Sequence, residues 1–278
     1  MQPKTKGLLE MITATFIWGS TPLISILSHL PSGVFVFFRV IFAFVFIAYI
    51  LYRKEGFSNF FELKDFKYLF LSGLFLALNW VLFFWAIEIA GANLAVIIYY
   101  AGPIFAIVLA TIFLKEPITL KLVISTILVI LGVVLSVGGI NGFNKGAIIA
   151  LLAALSYALL GFFSKLATLK HSSFKVTTWQ ILISIILTSP FIFIDNFTLS
   201  AKTLLIVAIA GIIHTALALF LWYDSLKYIS VSLASILAYL DIFFALILNY
   251  LFLNQTPTIS QIIGSILIVV AGVVAVVF

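Results

Sequence analysis

The sequence predicts an all-α polytopic membrane protein with ten transmembrane helices, arranged as two inverted five-helix repeats. Three observations predict it: the apolar composition, ten apolar runs of spanning length, and a match between the two halves of the chain. Of the 278 residues, 64% are hydrophobic and 9% are charged, with a mean hydropathy of +1.32. Soluble domains average about 45–50% apolar and about 25% charged residues, so this composition excludes a soluble protein.

Ten apolar runs appear when the chain is divided at its polar and Gly/Pro clusters. A hydrocarbon layer about 30 Å thick needs about 20 such residues in a helix. The connectors are too short to hold a soluble domain. The predicted spans one to ten cover residues 7–27, 33–52, 68–88, 94–114, 121–138, 146–165, 174–194, 203–223, 232–252 and 259–277.

The distribution of Lys and Arg predicts the orientation. If the N-terminus is inside, twelve of these residues fall in cytoplasmic segments and only Lys145 and Lys202 fall outside. Cytoplasmic loops carry such an excess, so both termini are expected in the cytoplasm and the protein in the plasma or inner membrane. The formal charge of +6 therefore belongs to the loops and indicates no nucleic-acid partner. Cysteine is absent, and no metal or other cofactor is expected.

The two halves match at an offset of 139 residues. Residues 91–119 align with residues 230–258 without a gap, which predicts repeats at 1–139 and 140–278. Each half holds five spans, and because five is odd the second half must enter the membrane inverted. Inverted repeats are typical of secondary transporters, whose substrate site lies near the midplane where the repeats meet.

The residues that carry this repeat also resemble a known family. "IWGSTPLIS" in span one, "FFRVIFAF" in span two and "WAIEIAGANLAVIIYYAGPIFAIVLATIFLKEPIT" in spans three and four resemble the ten-helix EamA-type members of the drug/metabolite transporter superfamily. The resemblance implies export of small metabolites, often amino acids or their relatives, through a cavity built from spans one, three, four, six, eight and nine. The sequence departs from the family pattern twice. Span nine has Asp241 and no central proline, and Gln255 stands where the family tends to have the Glu that the first half keeps as Glu116.

Polar, aromatic and helix-breaking residues recur at one depth. At 1.5 Å per residue, about ten residues into a span is the bilayer centre. The same six spans place such residues there, which predicts a wet cavity. The predicted substrate-binding residues are Trp18, Asn79, Trp80, Tyr99, Tyr157, His214 and Asp241, with Pro22 and Pro103 as hinges. Adjacent Tyr99 and Tyr100 cannot share a helix face, and the repeat favours Tyr99.

Ionisable residues inside the spans have two interpretations each. Asp241 is either a partner for a substrate ammonium or a proton, or a protonated side chain bonded to a neighbouring helix. His214 is either its proton partner or a satisfied bundle residue. Arg39, in the outer third of span two, either snorkels or pairs with Glu88 or Asp195, or forms an anion site or gate. Lys165 and Asp224 are either an inner gate pair or surface charges at helix ends.

The predicted function is a secondary transporter of a small amphipathic solute, working by alternating access with possible proton coupling. No Walker-type phosphate loop appears in the sequence, and no ring of like charges indicates a channel. The alternatives are an intramembrane lipid-modifying enzyme, which lacks a spaced His/acid cluster here, and a membrane scaffold that does not transport. The smooth spans five and ten are peripheral supports in contact with lipid or the seam of a weak homodimer, so a monomer remains equally open.

Overall fold

A computed structural model describes residues 2–56, 64–90, 92–137, 145–193, 196–254 and 256–277. In that part of the chain all regular structure is helical, and we keep the numbering of the predicted spans for the helices that occupy them. The helices are Pro3–Gly19 and Thr21–Ser28 (span one), Ser32–Glu55 (two), Phe66–Ala90 (three), Ala92–Tyr99 and Gly102–Phe113 (four), Leu120–Val137 (five), Lys145–Thr168 (six), Ser173–Thr188 (seven), Ala201–Ile209, Ala210–Leu217 and Ala218–Ser225 (eight), Val231–Ala238 and Leu240–Leu253 (nine), and Ile259–Val277 (ten).

Serine side chains begin three of the helices in the second half. Ser172, Ser200 and Ser230 have extended backbones, and each hydroxyl accepts a hydrogen bond from the backbone N–H three residues later. This N-cap satisfies one of the donors that a helix start leaves free. The polar residues between the apolar runs therefore define where spans seven, eight and nine start.

Seven of the helical stretches in the described residues are long and apolar enough to cross a membrane by length and composition. They occupy spans two, three, six, seven, eight, nine and ten. Spans one and four are each divided by a break into two shorter helices, and span five contributes the shorter apolar helix Leu120–Leu135. The chain is thus a multi-pass helical membrane protein.

Six spans surround a common centre. Span one packs between spans eight and nine, span three packs along span six, and span four contacts both six and nine. Span two packs on span seven and on the middle of span eight. The largest cluster of buried apolar residues runs through these contacts and includes Met11, Leu76, Leu160, Trp222 and Tyr239.

Spans five and ten pack against each other along most of their length. A Cβ added at Gly132 would lie 2.7 Å from the Gly264 carbonyl oxygen, so the two backbones approach closely only because position 132 lacks a side chain. Small residues at helix interfaces allow such packing in membranes. The small residues of these two spans therefore form a seam within one chain, while Ile127 and Ile266 on the outer faces remain exposed.

Candidate functional site

Three of the central spans are interrupted at similar positions. Span one breaks at Ser20, span four at Tyr100 and Ala101, and span nine at Tyr239. Pro22 and Pro103 lie in the first turn of the helices that follow the first two breaks, where a missing N–H is harmless. The break at Tyr239 has no proline. Positions 100 and 239, which are 139 residues apart, are thus both interrupted, although proline follows only the first of these two breaks.

An aromatic ladder of four rings joins spans one, eight, six and four. The ring centroids are 5.5 Å apart between Trp18 and Trp222, 6.0 Å between Trp222 and Tyr157, and 6.0 Å between Tyr157 and Tyr99. Three of these residues are predicted site residues. Trp222, which is 4% exposed, was missed because it lies below the depth counted as central.

Asn79 of span three holds the end of the ladder. Its side-chain amide donates to the Tyr99 hydroxyl and to the Ala153 carbonyl, both at 3.1 Å, and the Tyr99 hydroxyl donates back to the Asn79 oxygen at 3.2 Å. A Cβ at Gly102 would lie 3.1 Å from the Cβ of Tyr157, so span four approaches span six where no side chain intervenes. The predicted residues Asn79, Tyr99 and Tyr157 therefore form one connected group.

Tyr100 also belongs to this group, contrary to the expectation that only one of the two adjacent tyrosines points inward. Its ring lies 6.2 Å from that of Tyr99 and 5.8 Å from that of Tyr239. The expectation assumed an unbroken helix, in which neighbours point about 100° apart. Here the helix ends at Tyr99, and the Tyr239 hydroxyl donates to the Tyr100 carbonyl at the break.

His214 lies in a π-helical segment, Ala210–Leu217, at the middle of span eight. Its Nε2 is 2.8 Å from the Ser20 hydroxyl, which also donates to the Ile17 carbonyl at 2.7 Å. A hydroxyl has one proton, so with that proton on Ile17 the histidine Nε2–H is the donor to Ser20. The carbonyls freed by the break in span one are thus partly satisfied by Ser20, and Ser20 is itself tied to His214.

The turn that carries Asp241 packs against span one next to the same break. Asp241 is in the first turn of Leu240–Leu253, where the helix dipole favours a carboxylate. Its Oδ1 is buried and has no hydrogen-bond partner among the described residues. A Cβ at Gly19 would meet the Asp241 carbonyl oxygen at 2.8 Å, so the backbone of span one passes directly over this turn.

Arg39 and Trp80 form a pair of their own. The guanidinium carbon lies 4.6 Å from the centre of the Trp80 ring, and the arginine is 7% exposed. Within the described part of the chain Arg39 makes no ion pair. Two acids were considered as partners of Arg39. Asp195 and the side chain of Glu88 both lie outside the described part of the structure.

The polar residues at one end of the bundle are paired differently from the sequence prediction. Asp224 binds Lys6 at 2.8 Å, Lys227 at 2.9 Å and the Ser173 hydroxyl at 2.8 Å. Lys165 instead donates to the carbonyls of Leu226 and Ile229. Lys165 and Asp224 therefore make no pair in this conformation, because the lysine donates to carbonyls in the connection between spans eight and nine.

Glu116 completes this end of the bundle. Its carboxylate accepts hydrogen bonds from the Val231 N–H at 2.8 Å, the Ser232 N–H at 3.0 Å and the Ser232 hydroxyl at 2.6 Å. It thus caps the first helix of span nine from the end of span four. We call Lys6, Glu116, Lys165 and Asp224 the polar clasp. The contrast between Glu116 and Gln255 marked the residue in the sequence, but its partner depends on tertiary contact.

The clasp holds the connection between spans eight and nine from two directions. Lys165 donates to the Leu226 carbonyl at the end of one helix, and Glu116 accepts from amides at the start of the next, which matches the dipole of each helix end. An open groove of about 350 Å³ lies beside it, lined by residues that include Leu114, Leu169 and Tyr228. The clasp therefore joins spans one, four, six, eight and nine at one end.

Comparison with known proteins agrees with this arrangement. The model of the EamA-like transporter family matches twice, at residues 5–138 and 144–278. The chain is 30% identical to an uncharacterized transporter, YxxF of Bacillus subtilis (strain 168), over 95% of this chain and 88% of that protein. It is 26% identical to an S-adenosylmethionine uptake transporter of Rickettsia bellii (strain RML369-C), over 72% of this chain and 69% of that protein.

A solved crystal structure of a protein superposes with a TM-score of 0.85 and 17% identity, covering 98% of this chain and 96% of that chain. At this identity the superposition establishes the fold alone. The double match of the family model and the similarity to the Bacillus protein extend over nearly the whole chain. The chain belongs to the EamA-like transporter family.

Proposed function

We propose that this protein is a secondary transporter that exports small amphipathic metabolites, such as amino acids or related compounds. One observation carries the proposal: at the break in span one Ser20 contacts His214, and the adjacent Gly19 packs on the backbone turn that carries Asp241, beside a ladder of aromatic rings. Charged and aromatic groups together suit a solute that has an ionised end and an apolar body. A membrane scaffold needs neither group at this depth.

The proposed architecture is ten spans in two inverted repeats, residues 1–139 and 140–278. The two separate matches of the family model support two repeats. The breaks at Tyr100 and Tyr239, which are 139 positions apart, support equivalent hinges. In such transporters the substrate site lies between the repeats, and rocking of one against the other exposes it alternately to each side.

We further propose that the polar clasp is the cytoplasmic gate, in its closed state here. The lysine content of this end supports its assignment to the cytoplasm, in line with the positive-inside rule. Lys165 and Asp224 keep their predicted gate role in this proposal, but with Leu226, Ile229 and Lys6 as partners. Opening requires these contacts to separate.

Asp241 is proposed to bind a substrate ammonium or to carry a proton, with His214 as the second titrating group. The Rickettsia relative is named for uptake of an amino-acid derivative, so the substrate chemistry agrees while the named direction is the reverse of export. Both directions therefore belong in the test.

The test is transport by the purified protein in liposomes. A panel of amino acids and S-adenosylmethionine is assayed as uptake and as efflux from loaded vesicles, with and without a proton gradient. We expect saturable transport of at least one amphipathic member, which is absent from empty liposomes. Transport of none of them in either direction overturns the proposed substrate class.

Asp241→Asn tests the site itself, because it keeps shape and removes ionisation. We expect a folded protein whose transport falls at least tenfold, and a flattened pH dependence between about pH 5 and 8 if Asp241 carries a proton. Asp65→Asn, at a connector residue with positive φ that Asn tolerates, is the matched control. Wild-type rates in folded Asp241→Asn return this residue to a structural role.

A further inference from the structure

Arg39 is a buried cation without an ion-pair partner among the described residues. It is 7% exposed, its Nε has no hydrogen-bond partner, and no carboxylate contacts it in the part of the chain that the structure describes. Its neighbours are the faces of Trp80 at 4.6 Å and Phe35 at 5.6 Å. The other arginine of the chain, Arg53, lies exposed in the last turn of the same helix.

Folding alone does not explain this arrangement. Burial of a charge is costly unless it is paired and hydrogen-bonded, with an effective penalty of several kcal/mol. A cation–π contact returns about 0.5–2 kcal/mol. The offset positions of Arg39 and Trp80 in the second half are Thr178 and Leu219, both buried. The equivalent positions of the second half are thus buried without any cation.

Arg39 also lies beside the candidate site. The π segment packs against it: a Cβ at Gly211 would lie 2.7 Å from the Cβ of Phe42, one turn further along the same helix. Gly211, which packs against the backbone of Arg39, lies about one turn before His214, and Trp80 follows Asn79, which holds the aromatic ladder. The cation is therefore placed at the level of the site from a span outside the central six.

We propose that Arg39 binds the carboxylate of the transported solute. The planar guanidinium offers a forked pair of donors that matches a carboxylate, and stacking on Trp80 fixes its plane. This inference rests on the proposed transport function and narrows its substrates to compounds with an acidic group.

Three ligands with one apolar body separate the charges. L-Leucine carries both groups, 3-methylbutylamine only the ammonium, and 4-methylpentanoate only the carboxylate. Binding to the purified protein is measured for wild type, Arg39→Gln, Arg39→Lys and the control Arg53→Gln. We expect Arg39→Gln to weaken leucine and 4-methylpentanoate at least tenfold and to leave the amine unchanged. Arg39→Lys retains part of the affinity, and Arg53→Gln matches wild type.

If Arg39→Gln binds all three ligands as tightly as wild type does, or loses affinity equally for all three, the inference is overturned. Thermal unfolding of the ligand-free protein supplies a readout that needs no substrate. A cation retained for a ligand destabilises the empty protein, so Arg39→Gln should raise Tm while Arg53→Gln leaves it unchanged. A lowered Tm indicates a structural arginine and contradicts the proposal. If wild type binds none of the ligands, the amino-acid substrate class fails, whereas a raised Tm still supports an anion site.

Discussion

Replacement of Glu116 by Gln should loosen the polar clasp by a predictable amount. The carboxylate accepts three hydrogen bonds, two of them from the first backbone N–H groups of span nine. Gln keeps the shape but offers a single acceptor oxygen, so its amide group faces one of those N–H donors. The substitution therefore removes one charge-assisted hydrogen bond and the negative charge at the helix start.

The magnitude follows from these two losses. A hydrogen bond to a charged group contributes about 1.5–3 kcal/mol, and a charge at a helix N-terminus about 0.3–1 kcal/mol. Because Glu116 is partly exposed, we take the lower end, about 2 kcal/mol. At about 1.4 kcal/mol for each factor of ten, the closed state loses about 30-fold in its equilibrium with the open state.

The absence of native cysteine makes an accessibility assay direct. Ala234, which is 2% exposed, lies about one turn inside the contacts of Glu116, and Ala234→Cys places a single thiol behind the clasp. In inside-out vesicles, labelling by a membrane-impermeant maleimide should accelerate up to about 30-fold on Glu116→Gln. The control is Lys115→Gln, at the exposed residue next to Glu116, in which Ala234→Cys should be labelled at the original rate. Unchanged labelling in a folded Glu116→Gln protein, or an equal rise in the control, refutes the gate assignment.

Three further outcomes are expected. Ser20→Ala removes the hydrogen bond to His214 and should lower the initial transport rate several-fold with little change in Tm. Trp222→Ala removes the middle of the aromatic ladder and should cost about 3–5 kcal/mol, seen as a lower Tm, whereas Trp222→Phe should recover most of it. The hydrogen bond to Asp224 raises the pKa of Lys6 above its usual range, so its charge is complete below about pH 10 and lost only at higher pH. At pH 6 and at pH 9, Lys6→Met should therefore raise the labelling rate of Ala234→Cys by the same factor relative to the protein that keeps Lys6.

Hydropathy and proline position were sufficient to predict much of the fold. The helix limits follow the apolar runs because the bilayer thickness sets their length. Pro22 and Pro103 indicated the breaks in spans one and four because proline removes a backbone donor. Trp18, Asn79, Tyr99 and Tyr157 were predicted at one depth, and the structure connects them.

Features that depend on contacts between spans were not predictable in the same way. The break at Tyr239 contains no proline. At this break the Tyr239 hydroxyl donates to the backbone carbonyl of Tyr100 in span four. The π segment around His214 has an ordinary apolar sequence, so its widened turn leaves no periodic signal. Lys165 and Asp224 were considered either as a gate pair or as surface charges, whereas Lys165 donates to backbone carbonyls, which every residue carries.

The π segment of span eight also affects how the sequence of that span aligns with the sequences of relatives. A turn closed by i→i+5 bonds holds about one residue more than an α-turn, so side chains beyond Leu217 are set back by about 100° around the axis. Trp222 and Asp224 both lie beyond that point. A deletion of one residue within 210–217 converts this wide turn to an α-turn, and it leaves both side chains facing the same partners. In relatives whose span eight is one residue shorter, an ungapped alignment is therefore expected to misplace the equivalents of these two residues by one position.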